Sequence, residues 1–377
     1  MNIEEYMEKE SKMKIGILTH YDVNNQGAQL QLYAMYKKLE EMGHEPVVLT
    51  YVKNYDFDRE KKLRYQASIK SIPYYIKNYL LKSGIGATYR NYKKLKLNKK
   101  FRKENFKFEN YATADIDIAL IGSDEVFSIP MGVNMMMFGH CISTNKVIAY
   151  APSFGQTDIK LLEKHNAKIL VKEGLKSFVD LSARDKNTAN IIEKLTERKT
   201  TMVCDPVLLY KFNKEKINKK KILSKKYMVI YAYDFNINTP DEIKAIKQYA
   251  KEHNLITVSP GTYHKWCDKN ISCNALEWVE IFKNAECVVT DTFHGTITST
   301  ITNRPMAVLI RDNLNSNKMN DLLEKLGLVS RKLVTISKEQ LDKVFSEKID
   351  FSDINKNIEK IRKESEEYLI SAIKKCE

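Results

Sequence analysis

The sequence predicts an α/β protein made of two Rossmann-like halves that face each other across a cleft. Three observations predict it. Short apolar runs alternate with amphipathic helical stretches from Lys14 onward. The alternation stops in a lysine-rich stretch, Lys211 to Lys226, and restarts at Tyr227. The apolar runs end abruptly at small or reactive residues, which is where open parallel sheets collect their ligands.

Lys14 to Thr19 reads as a buried strand, followed by the loop Asp22 to Gly27 and a helix with Leu30, Tyr33, Ala34 and Leu39 at helical spacing. Gly43 ends that helix and Pro46 to Tyr51 is the next strand, which completes the opening unit of a doubly wound sheet. A basic insert covers 58–107. Within it Ile69, Ile72, Tyr75, Ile76, Tyr79 and Leu80 form one apolar stripe, and Tyr89 to Phe106 reads as a basic, aromatic helix. Strands resume at Ile116 to Ile121, Lys146 to Ala151, Phe178 to Ala183 and Thr201 to Cys204. After the lysine-rich linker come strands at 227–231, 255–259, 287–290 and 306–310. Helices fall between them at 240–252, 275–284 and 294–302. Two further helices near 318–327 and 338–346 precede a charged C-terminal helix. The expected domains are therefore 14–210 and 227–350, with 351–377 as a terminal helix.

At 377 residues the chain is long enough for two cores. The first thirteen residues lack the apolar region of a signal peptide, and no run approaches a membrane span, so a cytoplasmic protein is expected. Six scattered cysteines without a CxxC pair read as buried, reduced thiols. No HExxH or dense His/Asp/Glu cluster calls for a metal, and neither a Walker loop nor GxGxxG supports a nucleotide site. Charge is more informative. Residues 61–107 hold twelve lysines and three arginines against Glu104, which is the chain's entire net charge of +14.

The strand exits carry the candidate chemistry: Asn24, Asn25 and Gly27 after the first strand, then Gly122, Ser123 and Asp124, Ser153, Arg184, Asp205, and Asp291, Thr292, Phe293 and His294. Taken singly they are weak. Asp205-Pro206 reads as a turn, Asp124 suits a cap, and His294 suits a core imidazole at a helix start. In series, "NNQGAQLQLYA", "IGSDEVF", "YAPSFG", "SARDKNTANII", "CDPVLL" and "TDTFHGTITSTITNRP" resemble the polysaccharide pyruvyl transferase family from roughly Lys14 to Gly327.

That resemblance implies a GT-B-like fold and a specific reaction. The carboxyvinyl unit of phosphoenolpyruvate, a co-substrate rather than a cofactor, passes to a sugar as a ketal on a cell-surface polysaccharide or its lipid-linked precursor. It also implies residue roles. Arg184 matches the arginine of the family's R-D motif and would bind the donor anion. His294 matches the motif histidine and would act as general acid or hold the phosphate. Asp124, then Asp291, are the candidates to take the hydroxyl proton. One position departs from the pattern: many members have an arginine two residues before the histidine, and here it is Thr292. Lys318 and Arg311 are the cations available to replace it, though a lysine is a point charge rather than a fork. The departure leaves room for a GT-B glycosyltransferase using a nucleotide-activated sugar, or for a non-catalytic glycan- or lipid-binding relative. For the basic insert three readings compete: a solvated flap over the cleft, docking on the anionic inner membrane face, and, least supported, nucleic-acid binding.

Overall fold

The computed structural model describes residues 11–65, 84–212, 215, 223–233, 236–311 and 316–377. The first half is a seven-stranded sheet of β1 (Lys14–Leu18), β2 (Glu45–Thr50), β3 (Phe108–Asn110), β4 (Ile118–Ile121), β5 (Val147–Ala149), β6 (Asp180–Ala183) and β7 (Thr201–Met202). The second half is a six-stranded sheet of β8 (Tyr227–Tyr231), β9 (Ile256–Pro260), β10 (Lys269–Ile271), β11 (Cys287–Thr290), β12 (Met306–Leu309) and β13 (Lys332–Leu333). Their orders are 3-2-1-4-5-6-7 and 10-9-8-11-12-13. Every pairing is parallel, for example Ile17 with Leu120 and Val289 with Ile230.

The central strands β4, β8, β11 and β12 are buried along their whole length, because helices cover both faces. That burial explains why they read as unbroken apolar runs. The short edge strands β3 and β10 are partly exposed, and no apolar run marks them. The helices Ile159–Lys164 and Lys168–Ser177 lie between β5 and β6, in addition to those the sequence predicts.

In each sheet the strand order reverses at its first strand, so the switch point lies between β1 and β4 and between β8 and β11. Ligands of open α/β sheets lie outside the carboxyl ends of such strands. Asp124 follows β4, and Asp291 to His294 follow β11. The topology therefore selects these two exits from among the predicted ones.

The C-terminal helix, Phe351–Lys374, returns to the first half. Tyr368 donates to the Ala149 carbonyl at 2.9 Å, Arg362 Nε to the Leu208 carbonyl at 2.9 Å, and Ser365 Oγ accepts from Cys204 N–H at 2.9 Å. The insert helix, Gly84–Asn105, also touches both halves. Asn98 donates to Asn24 Oδ1 at 2.7 Å in the first, while Lys94 donates to the Gly261 carbonyl at 2.7 Å and Arg90 to the Asn270 carbonyl in the second. Its Phe101 packs against Tyr33 and Phe106. Two of the insert's aromatics, Phe101 and Phe106, are thus core residues. The predicted stripe Ile69 to Leu80 and most of the lysine-rich linker lie outside the described residues. All six cysteines are free; five are buried as expected, and Cys141 is exposed.

Candidate active site

The first half contributes a loop that only glycine can start. Gly122 has φ +117, and a Cβ there would lie 2.1 Å from the Tyr150 carbonyl oxygen. The chain then places Asp124 at φ 78, a left-handed conformation uncommon outside glycine, with its Oδ1 accepting from Glu125 N–H at 2.9 Å. Arg184 leaves β6 with its side chain almost fully buried. Its Nη1 donates to Asp205 Oδ2 at 2.9 Å, and its Nη2 stands 3.7 Å from Asp124 Oδ1. The neighbouring Asp185 turns the other way: it caps the helix Lys186–Thr196 and accepts from Ser153 Oγ at 2.6 Å.

The second half closes over this cluster. Thr292 caps the helix Phe293–Ile301 by accepting from Gly295 N–H at 2.9 Å, which aims the start of that helix at the first half. The Phe293 ring lies under the Arg184 guanidinium, 4.4 Å from centroid to Cζ. His294 places Nε2 3.6 Å from Asp205 Oδ2. The other side of the imidazole rests on Gly27, where a Cβ would sit 2.4 Å from His294 Cγ. Gln26, beside it, donates to the Cys273 carbonyl at 2.9 Å across the same boundary. Lys318 reaches over from the helix Ser316–Leu326 to pair with Glu125.

Opposite charges sit close together here. Burial opposes ionisation of Asp124, yet Arg184, His294, His20 and Lys318 hold its carboxyl well below the usual carboxylate range. Burial also works against the charged form of Asp205, and His294, Arg184 and the Val207 N–H outweigh it. His20, half-buried after β1 between Tyr51 Oη at 3.1 Å and the Glu125 carbonyl at 3.3 Å, is lowered to about 4 by desolvation and by Lys53.

His294, Asp124, Arg184, Lys318 and Gly27 thus meet at one boundary. The other sequence candidates do not join them in the same way. Arg311 places Nη2 at 2.6 and 2.8 Å from the two oxygens of Glu242. Asn25 caps the helix Gln26–Glu41 through Ala28 N–H, and Thr292 is likewise spent as a cap. Ser123 is fully buried, and its Oγ lies 3.1 Å from the Ala151 carbonyl and 3.3 Å from Asp205 Oδ2. Asp291 accepts from Tyr233 N–H and from Asn236 Nδ2 at 2.5 Å. Asp205, a turn aspartate by sequence, is the hub between Arg184 and His294, and Phe293 lies under the Arg184 guanidinium; Glu125 and His20 were not among the sequence candidates. Asp205 and Phe293 stand on strand exits within the motif series and Glu125 lies inside "IGSDEVF", whereas His20 lies in none of the motifs.

Asp291 supports a stability prediction. Burial raises its pKa to about 6, against the lowering effect of Asn236 and Tyr233. The unfolded value is about 3.9, so the folded chain binds the proton more tightly. Wild-type stability should therefore fall as pH rises through about 4 to 6, by up to about 3 kcal/mol. Asp291→Asn should abolish that slope, so that the variant gains on wild type in thermal unfolding between pH 4.5 and pH 8. Parallel pH profiles for the two proteins would refute it.

Two Rossmann-like halves with their switch points facing each other define the GT-B-like class of two-domain proteins. The chain belongs to the polysaccharide pyruvyl transferase family, whose sequence profile matches residues 25–313; this is a family of transferases. No functionally curated protein matches the sequence at a significant level. Among solved structures, Glycyrrhiza uralensis UGT73P12, complexed with glycyrrhetinic acid 3-O-monoglucuronide, is similar over 97% of this chain and 96% of its own, at 10% identity and a TM-score of 0.52. The Neisseria meningitidis UDP-GlcNAc 2-epimerase bound to UDP-GlcNAc covers 97% and 100% at 12% identity, with a TM-score of 0.49. The Staphylococcus aureus MnaA–UDP structure covers 92% and 91% at 14% identity, with a TM-score of 0.46. At such identities the likeness concerns the fold alone.

Proposed function

We propose that the protein transfers the carboxyvinyl unit of phosphoenolpyruvate to two hydroxyls of a glycan, forming a pyruvyl ketal and releasing inorganic phosphate. The observation that carries this reading is the convergence of Arg184, Lys318 and His294 with the carboxylates Asp124 and Asp205 where the two switch points meet. A donor with a carboxylate and a phosphate needs closely spaced cations, and Arg184 supplies a planar fork. His294 protonates the methylene carbon, which makes the central carbon electrophilic. The first hydroxyl oxygen attacks that carbon and its proton passes to Asp124. The carbon–oxygen bond to phosphate breaks, and the second hydroxyl oxygen attacks the same carbon to close the ketal, its proton replacing the one His294 gave up, while the proton held by Asp124 leaves with the phosphate. Asp124 is a weak base while the cations Arg184 and Lys318 stand near it. A donor anion shares Arg184 and Lys318, which raises the basicity of Asp124 when the base is needed.

The test is a donor comparison. Phosphoenolpyruvate should raise the melting temperature, and label from it should appear in a pooled glycan acceptor. A shift with nucleotide sugars and none with phosphoenolpyruvate would favour sugar transfer instead, the reading that Thr292 motivates.

The same reading places a lipid-linked acceptor at the membrane surface. The insert helix binds both halves through its inner side and leaves Tyr89, Tyr92, Lys93, Lys96, Lys99, Lys100 and Lys103 exposed. Among the described residues no helix is long and apolar enough to cross a membrane, so this contact would be electrostatic. Each lysine near an anionic surface contributes about 1 kcal/mol. Sedimentation with phosphatidylserine vesicles should fall by about two orders of magnitude or more when the five lysines become glutamine. Equal sedimentation of the two proteins would reject the membrane contact.

A further inference from the structure

We infer that Asp205 is the positioning residue of this site and fixes His294 as its Nε2–H tautomer, leaving Nδ1 to exchange the proton with substrate. The substrate half of that statement rests on the reading proposed above; the tautomer half does not. Three observations carry it. His294 Nε2 is buried and has no partner within hydrogen-bond distance. A fully buried carboxylate oxygen, Asp205 Oδ2, faces it at 3.6 Å. That carboxylate is itself held in place: Arg184 Nη1 donates to Oδ2 at 2.9 Å, Ser123 Oγ lies 3.3 Å from it, and Val207 N–H donates to Oδ1 at 3.0 Å.

A nitrogen lone pair pointed at an ionised carboxylate is repelled, whereas an N–H in the same place is attracted, and more strongly because water is excluded. The neutral imidazole therefore carries its proton on Nε2, and small closure of the 3.6 Å gap completes a hydrogen bond. Asp205 remains ionised because His294 and Arg184 outweigh its burial. The carboxylate belongs to the first half and the histidine to the second, while the missing Cβ of Gly27 leaves room for the Cβ, Cγ and Nδ1 of His294 against the first half. The oriented histidine thus exists only when the halves are together. Nothing in the sequence pairs these two residues, and Asp205 alone reads as a turn.

The test is nitrogen NMR of the full chain labelled at its seven histidines, with His294→Gln identifying the signal. In the pH range where the ring is neutral, the expected spectrum shows a protonated Nε2 and an unprotonated Nδ1. Asp205→Asn should erase that preference and lower kcat by roughly 10²–10⁴-fold. A merely structural Asp205 would leave the tautomer unchanged. A dominant Nδ1–H form in wild type overturns the inference, as does a variant that keeps both tautomer and rate. If Asp205→Asn does not fold, the wild-type spectrum still decides. A protein with the expected tautomer that transfers nothing from phosphoenolpyruvate would retire the proposed reaction and leave the Asp205–His294 assignment standing.

Discussion

Replacing His294 with alanine is expected to reduce pyruvyl transfer by roughly 10²–10⁴-fold, the usual contribution of a positioned proton donor, while leaving the protein folded. The imidazole is the only group of the proposed acid step that comes from the second half at the β11 exit. Its loss takes away the proton for the methylene carbon. It does not strand Asp205, because Arg184 and Val207 N–H still donate to that carboxylate. The stability cost should therefore be modest: a small cavity beside Gly27 and one lost ion-pair contact. Initial rates with labelled phosphoenolpyruvate, read beside thermal unfolding, check both halves of the expectation. A variant that transfers at the wild-type rate would remove His294 from the chemistry.

Arg184→Ala should have the larger effect on the whole molecule. The guanidinium is buried between Asp205 and Asp124 and lies over the Phe293 ring. Truncation leaves the buried carboxylate of Asp205 and the partly buried one of Asp124 short of a cation, a change that typically costs about 3–5 kcal/mol, and it also removes the fork proposed for the donor. The sign of the pH dependence follows from the same contacts. In wild type both carboxyl pKa values are depressed, so their contribution is present above the unfolded value of about 3.9 and is lost only as pH falls through the folded values. Without Arg184, burial pushes both upward. The variant should be most unstable near pH 8 and recover part of its deficit by pH 5. Arg184→Lys should restore charge and much of the stability but not donor affinity, since a point charge cannot make paired contacts. Chemical denaturation at the two pH values and donor titration separate these effects. Equal stability of Arg184→Ala and wild type at pH 8 would show that the cluster is not held by this cation.

The strands on either side of the two switch points were legible because each is buried on both faces and shows as an unbroken apolar run. The residues at their exits were legible for the same reason: Asp124 and His294 stand where such a run stops. Edge strands β3 and β10 were not, since half-exposed segments of three residues leave no period to detect. Charge counting found the basic insert, but composition could not show that Arg90 and Lys94 are spent on carbonyls of the second half.

By itself the sequence determined which residue types stand at the strand exits, where the positive charge is concentrated and which family's motifs recur. Only the tertiary structure decided which of those residues meet. Strand order arises from pairing between distant segments, so local sequence does not show that β1 lies beside β4 or β8 beside β11. That order brings Asp124, Arg184 and Asp205 to His294. It gives Arg311 to Glu242, and it turns an apparent turn aspartate into the carboxylate that faces the histidine.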